Sequence, residues 1–113
     1  MLLKIVTFNI AHGKGLDGII DLERQAELVS KCKPDIVFLQ EIDMYTKRAG
    51  ERNQIREFSK KIYLPYCSME SNITLEDGYY GDGIISRFPI SFSVNYLMPL
   101  TVLNHEQRGI LCN

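Results

Sequence analysis

Apolar residues run almost without a break through Lys4-Ile5-Val6-Thr7-Phe8 and again through Asp35-Ile36-Val37-Phe38-Leu39-Gln40. Runs of this kind predict strands covered on both faces, as at the centre of a layered sheet. Between them the period changes. Leu22, Ala26 and Val29 recur at helical spacing behind Asp21, which suits an N-cap, and Pro34 disfavours helix at the residue before it. Strand, helix and strand then form a βαβ unit with parallel strands, so the C-terminal ends of both strands share one edge. After a polar and basic segment from Asp43 to Glu51, the spacing of Ile55, Phe58 and Ile62 predicts a second helix reaching to Pro65. Ile84-Ile85-Ser86 reads as a short strand. From Ile90 to Leu97, Ile90, Phe92, Val94 and Tyr96 alternate with Ser91, Ser93 and Asn95, which predicts a strand with one buried face. Arg108 to Asn113 reads as the opening of a further strand on which the chain stops, as in an incomplete piece of a larger domain. The expected fold class is α/β: one domain over 1–113, with a mixed sheet and helices on one of its faces.

Composition narrows the function classes. With 113 residues, 45% apolar and 24% charged, the chain fits a single globular core. A net charge of −1 and a pI near 6.1 give no overall attraction for polyanions, so charge does not favour nucleic acid as a partner. Lys4 interrupts the opening Met1-Leu2-Leu3, which argues against a signal peptide or a membrane span and for a cytoplasmic protein. Cys32, Cys67 and Cys112 are odd in number and widely spaced, a pattern of reduced thiols rather than of disulfides or zinc.

The candidate chemistry lies at the strand ends. The first run leads into Asn9 and the second into Glu41, so an amide oxygen and a carboxylate meet beyond one sheet edge, where α/β sheets collect ligands. Together they suit a hard divalent cation. The competing roles are structural: Glu41 as a solvated carboxylate and Asn9 as the cap of a turn. His12, among the glycines of the loop from Ala11 to Gly18, is placed either to contact phosphate or to bond its own backbone. Arg48 and Arg108 carry guanidinium forks that match phosphate oxygens, and Tyr79 and Tyr80 are placed to line a groove or to pack. No Gly-x-x-x-x-Gly-Lys-Ser/Thr loop supports a nucleotide triphosphate.

Taken in order, Thr7-Phe8-Asn9-Ile10 with His12-Gly13, Leu39-Gln40-Glu41-Ile42-Asp43, Tyr80-Gly81-Asp82-Gly83-Ile84-Ile85-Ser86-Arg87-Phe88-Pro89-Ile90 and Gln107-Arg108-Gly109 resemble the N-terminal half of the endonuclease/exonuclease/phosphatase family. The resemblance implies half of a four-layer α/β/β/α sandwich of the deoxyribonuclease I-like fold. It implies Glu41 and Asn9 as ligands of catalytic magnesium or manganese, with Asn9, Glu41 and His12 in the catalytic set. Arg48, Tyr80 and Arg108 would face a phosphate-ester substrate. The implied activity is metal-dependent hydrolysis of a phosphodiester or phosphomonoester. The family's Asp-x-Asn motif and terminal Asp-His pair have no counterpart here, so the chain alone is expected to be inactive. Asp82 stands where close relatives often carry Asn. The alternative is a noncatalytic module that associates through its sheet, and an uncovered sheet face would favour a homo-oligomer in either case.

Overall fold

The computed structural model describes residues 2–75, 77–97 and 109–112, the last four as backbone. Strand β1 (Ile5–Asn9), helix α1 (Leu22–Lys31) and strand β2 (Ile36–Met44) form the expected βαβ unit, with β1 and β2 parallel in the register Ile5–Ile36 to Asn9–Gln40. Helix α2 (Gln54–Ile62) follows, and then strands β3 (Tyr66–Leu75) and β4 (Gly78–Ser86) make an antiparallel hairpin. The sheet order is β1-β2-β4-β3, with β4 antiparallel to β2. Strands β5 (Val94–Leu97) and β6 (Gly109–Cys112) pair antiparallel as a separate ladder.

Both helices start where their side chains can satisfy free amides. Asp21 Oδ1 accepts from the Arg24 amide at 3.2 Å, and Asn53 Oδ1 accepts from the Arg56 amide at 3.2 Å. The two helices lie on one face of the sheet and bury Leu22, Ala26, Val29, Ile55, Phe58 and Ile62 against Val37, Leu39, Ile42 and Ile85. Phe58, Ile10, Val37, Ile42 and Ile85 have no exposed surface. Among the described residues no helix is long and apolar enough to cross a membrane.

Four expectations change. First, β2 does not stop at Glu41 but continues to Met44. It can do so because one more residue lies on β2 than on β4 between the pairs Leu39–Gly83 and Ile42–Gly81. This β-bulge re-phases the strand, so that Val37 and Leu39 before it and Ile42 after it all reach the helix-side core. Second, β1 is an edge strand, and among the described residues the second face of the sheet is covered only in part, by the segment that leads into β5, which buries Ile84 and reaches β3 through Ser93. Ile5, Phe38 and Tyr66 remain 56%, 36% and 41% exposed. Third, the strand expected from Ile90 begins only at Val94, and its alternation is inverted. Phe92, Val94 and Tyr96 are exposed, while Ser93 bonds Ser68 and Asn95 donates to Asn72 and to the Ser71 carbonyl, so the polar set faces β3. Fourth, β3 is a ten-residue strand that the apolar pattern does not mark.

Gly81 follows from a second bulge, between Ser71 and Ile73 of β3. There the Glu70 carbonyl occupies the space a Cβ at residue 81 would need, so only glycine lets the two backbones approach.

We propose that the part of the second sheet face left open drives self-association, because Ile5 and Phe38 stay exposed on the adjacent strands β1 and β2. Sedimentation equilibrium at micromolar concentration is expected to return a species heavier than the 13.0 kDa chain. A monomer at all concentrations contradicts this.

Candidate active site

Asn9 closes β1 and pairs across the parallel ladder with Gln40, the residue before Glu41, and the Ile10 amide continues that ladder to the Gln40 carbonyl at 3.0 Å. The two residues singled out from the sequence therefore emerge on adjacent strands at one edge. Asn9 is exposed, and its Oδ1 accepts from the Ala11 amide at 3.1 Å. The structure thus shows the turn-capping role for Asn9. An amide oxygen has two lone pairs, so this bond leaves one for a second partner.

Glu41 occupies the bulge with φ of 57°, a left-handed backbone that costs a non-glycine residue about 1–2 kcal/mol. Its side chain is half-buried, and it makes no hydrogen bond or ion pair among the described residues. A carboxylate held in a strained position without a protein cation to neutralise it is the donor a hard metal ion needs. Among the described residues no three His, Cys, Asp or Glu side chains converge as a metal cage. The oxygen groups that the two strands bring to this edge are one carboxylate, Glu41, and one amide, Asn9.

His12 sits in the 3-10 turn Ala11–Gly13, where Ala11, His12 and Gly13 all have positive φ (46°, 45° and 92°). Two buried glutamines hold this turn. Gln25 of α1 donates to the Ile10 carbonyl at 3.0 Å, and Gln54 of α2 donates to the His12 carbonyl at 2.8 Å. Gln54 Oε1 also accepts from the Asp43 amide at 2.9 Å. One side chain, 1% exposed, therefore ties the His12 turn to the strand just past the bulge. Neither glutamine was identified from the sequence. The available signal was an amide directly after the Asn53 cap, on the helix face that carries Ile55 and Phe58.

Burial lowers the His12 pKa below the ordinary 6.5 of imidazole, and the nearby Arg48 guanidinium lowers it further, against smaller opposing effects of Asp43 and Glu41. The shift favours the neutral imidazole at pH 7. Arg48 does reach this rim, but its fork is engaged inside the protein. Nε and Nη2 donate to Asp43 Oδ2 and Oδ1 at 2.5 and 2.8 Å, and the Asp43 bonds raise the Arg48 pKa. Asp43 is fully buried and also accepts from Thr46 Oγ1 at 2.7 Å. Tyr80 lies opposite Asp43 in the β2–β4 register, with its ring 5.3 Å from the guanidinium carbon. Asp82 accepts from Asn72 Nδ2 at 3.2 Å, which ties β4 to β3. Tyr79, 45% exposed, lies opposite Met44 and Thr74. Cys32 and Cys67 are free thiols. Arg108 lies outside the described residues.

The depressed His12 pKa fixes the sign of its effect on stability. The unfolded chain binds the proton more tightly, so the contribution is complete above pH 6.5 and declines as pH falls from there through the folded value. In NMR titration the His12 ring is expected below 6.5, and Arg48→Gln is expected to raise it by removing the opposing cation. A wild-type value at or above 6.5 contradicts this electrostatic picture.

The sequence pattern of the Endonuclease/Exonuclease/phosphatase family matches residues 6–108. None of the curated proteins matches the chain. Among solved structures, the chain is similar to an endonuclease/exonuclease/phosphatase from Beutenbergia cavernae DSM 12333, with 20% identity and a TM-score of 0.67 over 86% of this chain and 29% of that one. It is also similar to an endonuclease/exonuclease/phosphatase family protein from Leptotrichia buccalis C-1013-b, with 16% identity and a TM-score of 0.67 over 97% of this chain and 48% of that one. The chain spans less than half the length of either relative, and at these identities the likeness establishes the fold. The family pattern reaches from β1 across both helices and the four-stranded sheet, and the chain belongs to the endonuclease/exonuclease/phosphatase family.

Proposed function

We propose that this chain carries the cation-binding part of a phosphoester hydrolase, with Glu41 and Asn9 as protein ligands of magnesium or manganese. The observation that carries this reading is Glu41: a half-buried carboxylate, unneutralised among the described residues, in a left-handed bulge one register step from Asn9. A folded chain retains such strain where function selects it. When bound, the cation supplies Lewis-acid stabilisation of charge on a phosphoryl oxygen. The chain's own groups supply the remainder of the rim. Neutral His12 offers one ring nitrogen as acceptor and one as donor to water or phosphate. The Arg48 cation opposes charge building up on the substrate. Family membership points to phosphoester hydrolysis.

Isothermal titration with magnesium tests the reading. Binding is expected in the wild type and is expected to vanish in Glu41→Ala and Glu41→Gly. The glycine variant separates a ligand from a packing residue. It relieves a left-handed glutamate worth about 1–2 kcal/mol and loses roughly 0.5–1 kcal/mol in backbone entropy. Its melting temperature is therefore expected to hold or rise while metal binding disappears. A several-degree fall with magnesium binding intact would assign Glu41 to the fold instead.

A further inference from the structure

Among the described residues Asp43 is the only fully buried charged side chain. A buried ion pair is a poor way to stabilise a fold, since apolar residues of similar volume do as well or better. Here the partner is half in water, because the Arg48 side chain is 45% exposed. The arrangement therefore fixes a guanidinium at the surface more effectively than it fills a core. Three contacts fix it. Asp43 takes the side fork of Arg48, made by Nε and Nη2; the Thr46 hydroxyl, itself buried, holds Asp43 Oδ2; and the Tyr80 ring limits the plane of the guanidinium.

A guanidinium has five N–H donors. Two point into Asp43, which leaves both hydrogens of Nη1 and one of Nη2, and one hydrogen from each of these nitrogens makes up the end fork. Among the described residues Arg48 makes no further hydrogen bond. The same cation acts electrostatically on His12, as Glu41 does, so Arg48 stands on the rim already described. The strand order explains why: Asp43 lies two residues beyond Glu41 on β2, and its backbone amide is held by the Gln54 side chain that also holds the His12 turn.

We propose that Asp43 is a positioning residue that occupies the side fork of Arg48 and thereby presents the end fork to a phosphoryl oxyanion of the substrate. Two parallel N–H donors match two phosphate oxygens, a fit a lysine ammonium cannot reproduce. The inference rests on the hydrolase reading for the identity of the anion.

The affinity for inorganic phosphate, measured with and without saturating magnesium, tests it. Asp43→Asn deletes a negative charge, so a site governed by net charge would bind phosphate more tightly. Positioning predicts the opposite, a loss of about ten-fold or more, as for one charge-assisted hydrogen bond. Arg48→Lys keeps the charge and the attraction to Asp43 but has no second fork. It is expected to lose phosphate to a similar degree with its magnesium affinity unchanged, and it decides the matter if Asp43→Asn does not fold. Equal or tighter phosphate binding in Asp43→Asn, wild-type affinity in Arg48→Lys, or no phosphate binding by the wild type would overturn the proposal. Phosphate affinity without the cation reads the Arg48 fork alone, so a failure of metal binding at Glu41 is separately visible.

Discussion

The extra residue in β2 is the constraint on which the rest of the site depends. Without it, a strand that must keep Val37 and Leu39 in the core could not also deliver Ile42 there, and neither Glu41 nor Asp43 would stand where it does. The bulge places Glu41 in a backbone conformation that glutamate does not favour. It also re-phases the strand so that Asp43 is buried opposite Tyr80. The carboxylate proposed as a metal ligand and the carboxylate that anchors Arg48 thus sit two residues apart with opposite surroundings. One lacks a cation among the described residues, and the other is saturated by Arg48 and Thr46.

Such a strained edge persists only if its surroundings leave it no alternative. Two glutamine amides provide much of that support. Gln25 and Gln54 reach out of α1 and α2 to carbonyls of the left-handed turn, and Gln54 closes a bridge back to β2. The apolar faces of the helices therefore do more than cover the sheet. Docking Leu22, Ala26 and Phe58 into the core sets the height and rotation from which these amides work. Core packing and site geometry are parts of one mechanical unit, and a loosened helix would be felt at His12 before any site residue was altered.

Much of the fold was legible in the sequence where burial and periodicity agree. The βαβ unit, the Asp21 cap, the Pro34 boundary and the Ile55-Phe58-Ile62 face all rest on strong local signals. The bulge was not legible because its special backbone falls on Glu41, with no glycine to announce a positive φ. Strand β3 was missed because Ser68, Glu70, Ser71 and Asn72 break the apolar rhythm, and its pairing is dictated by β4 rather than by its own composition. The inverted face of β5 has the same origin: alternation reveals two faces, and tertiary contacts decide which one lies inward. That Asn9 and Glu41 lie on neighbouring strands, one register step apart, was legible from the two apolar runs, although β2 continues past Glu41. Asp43 read as the start of a polar loop, since nothing in its neighbours reveals that Arg48 folds back onto it.

Paramagnetic broadening by manganese, followed in amide NMR spectra, tests the central claim most directly: that the bulge and the adjacent strand end make one cation site. At substoichiometric manganese the account predicts selective loss of signals around Asn9–His12 and Gln40–Ile42, sparing the exposed Glu23 and Glu27 of α1 and the Asp17 turn. Broadening centred on those surface carboxylates, with the Glu41 region sharp, would contradict it.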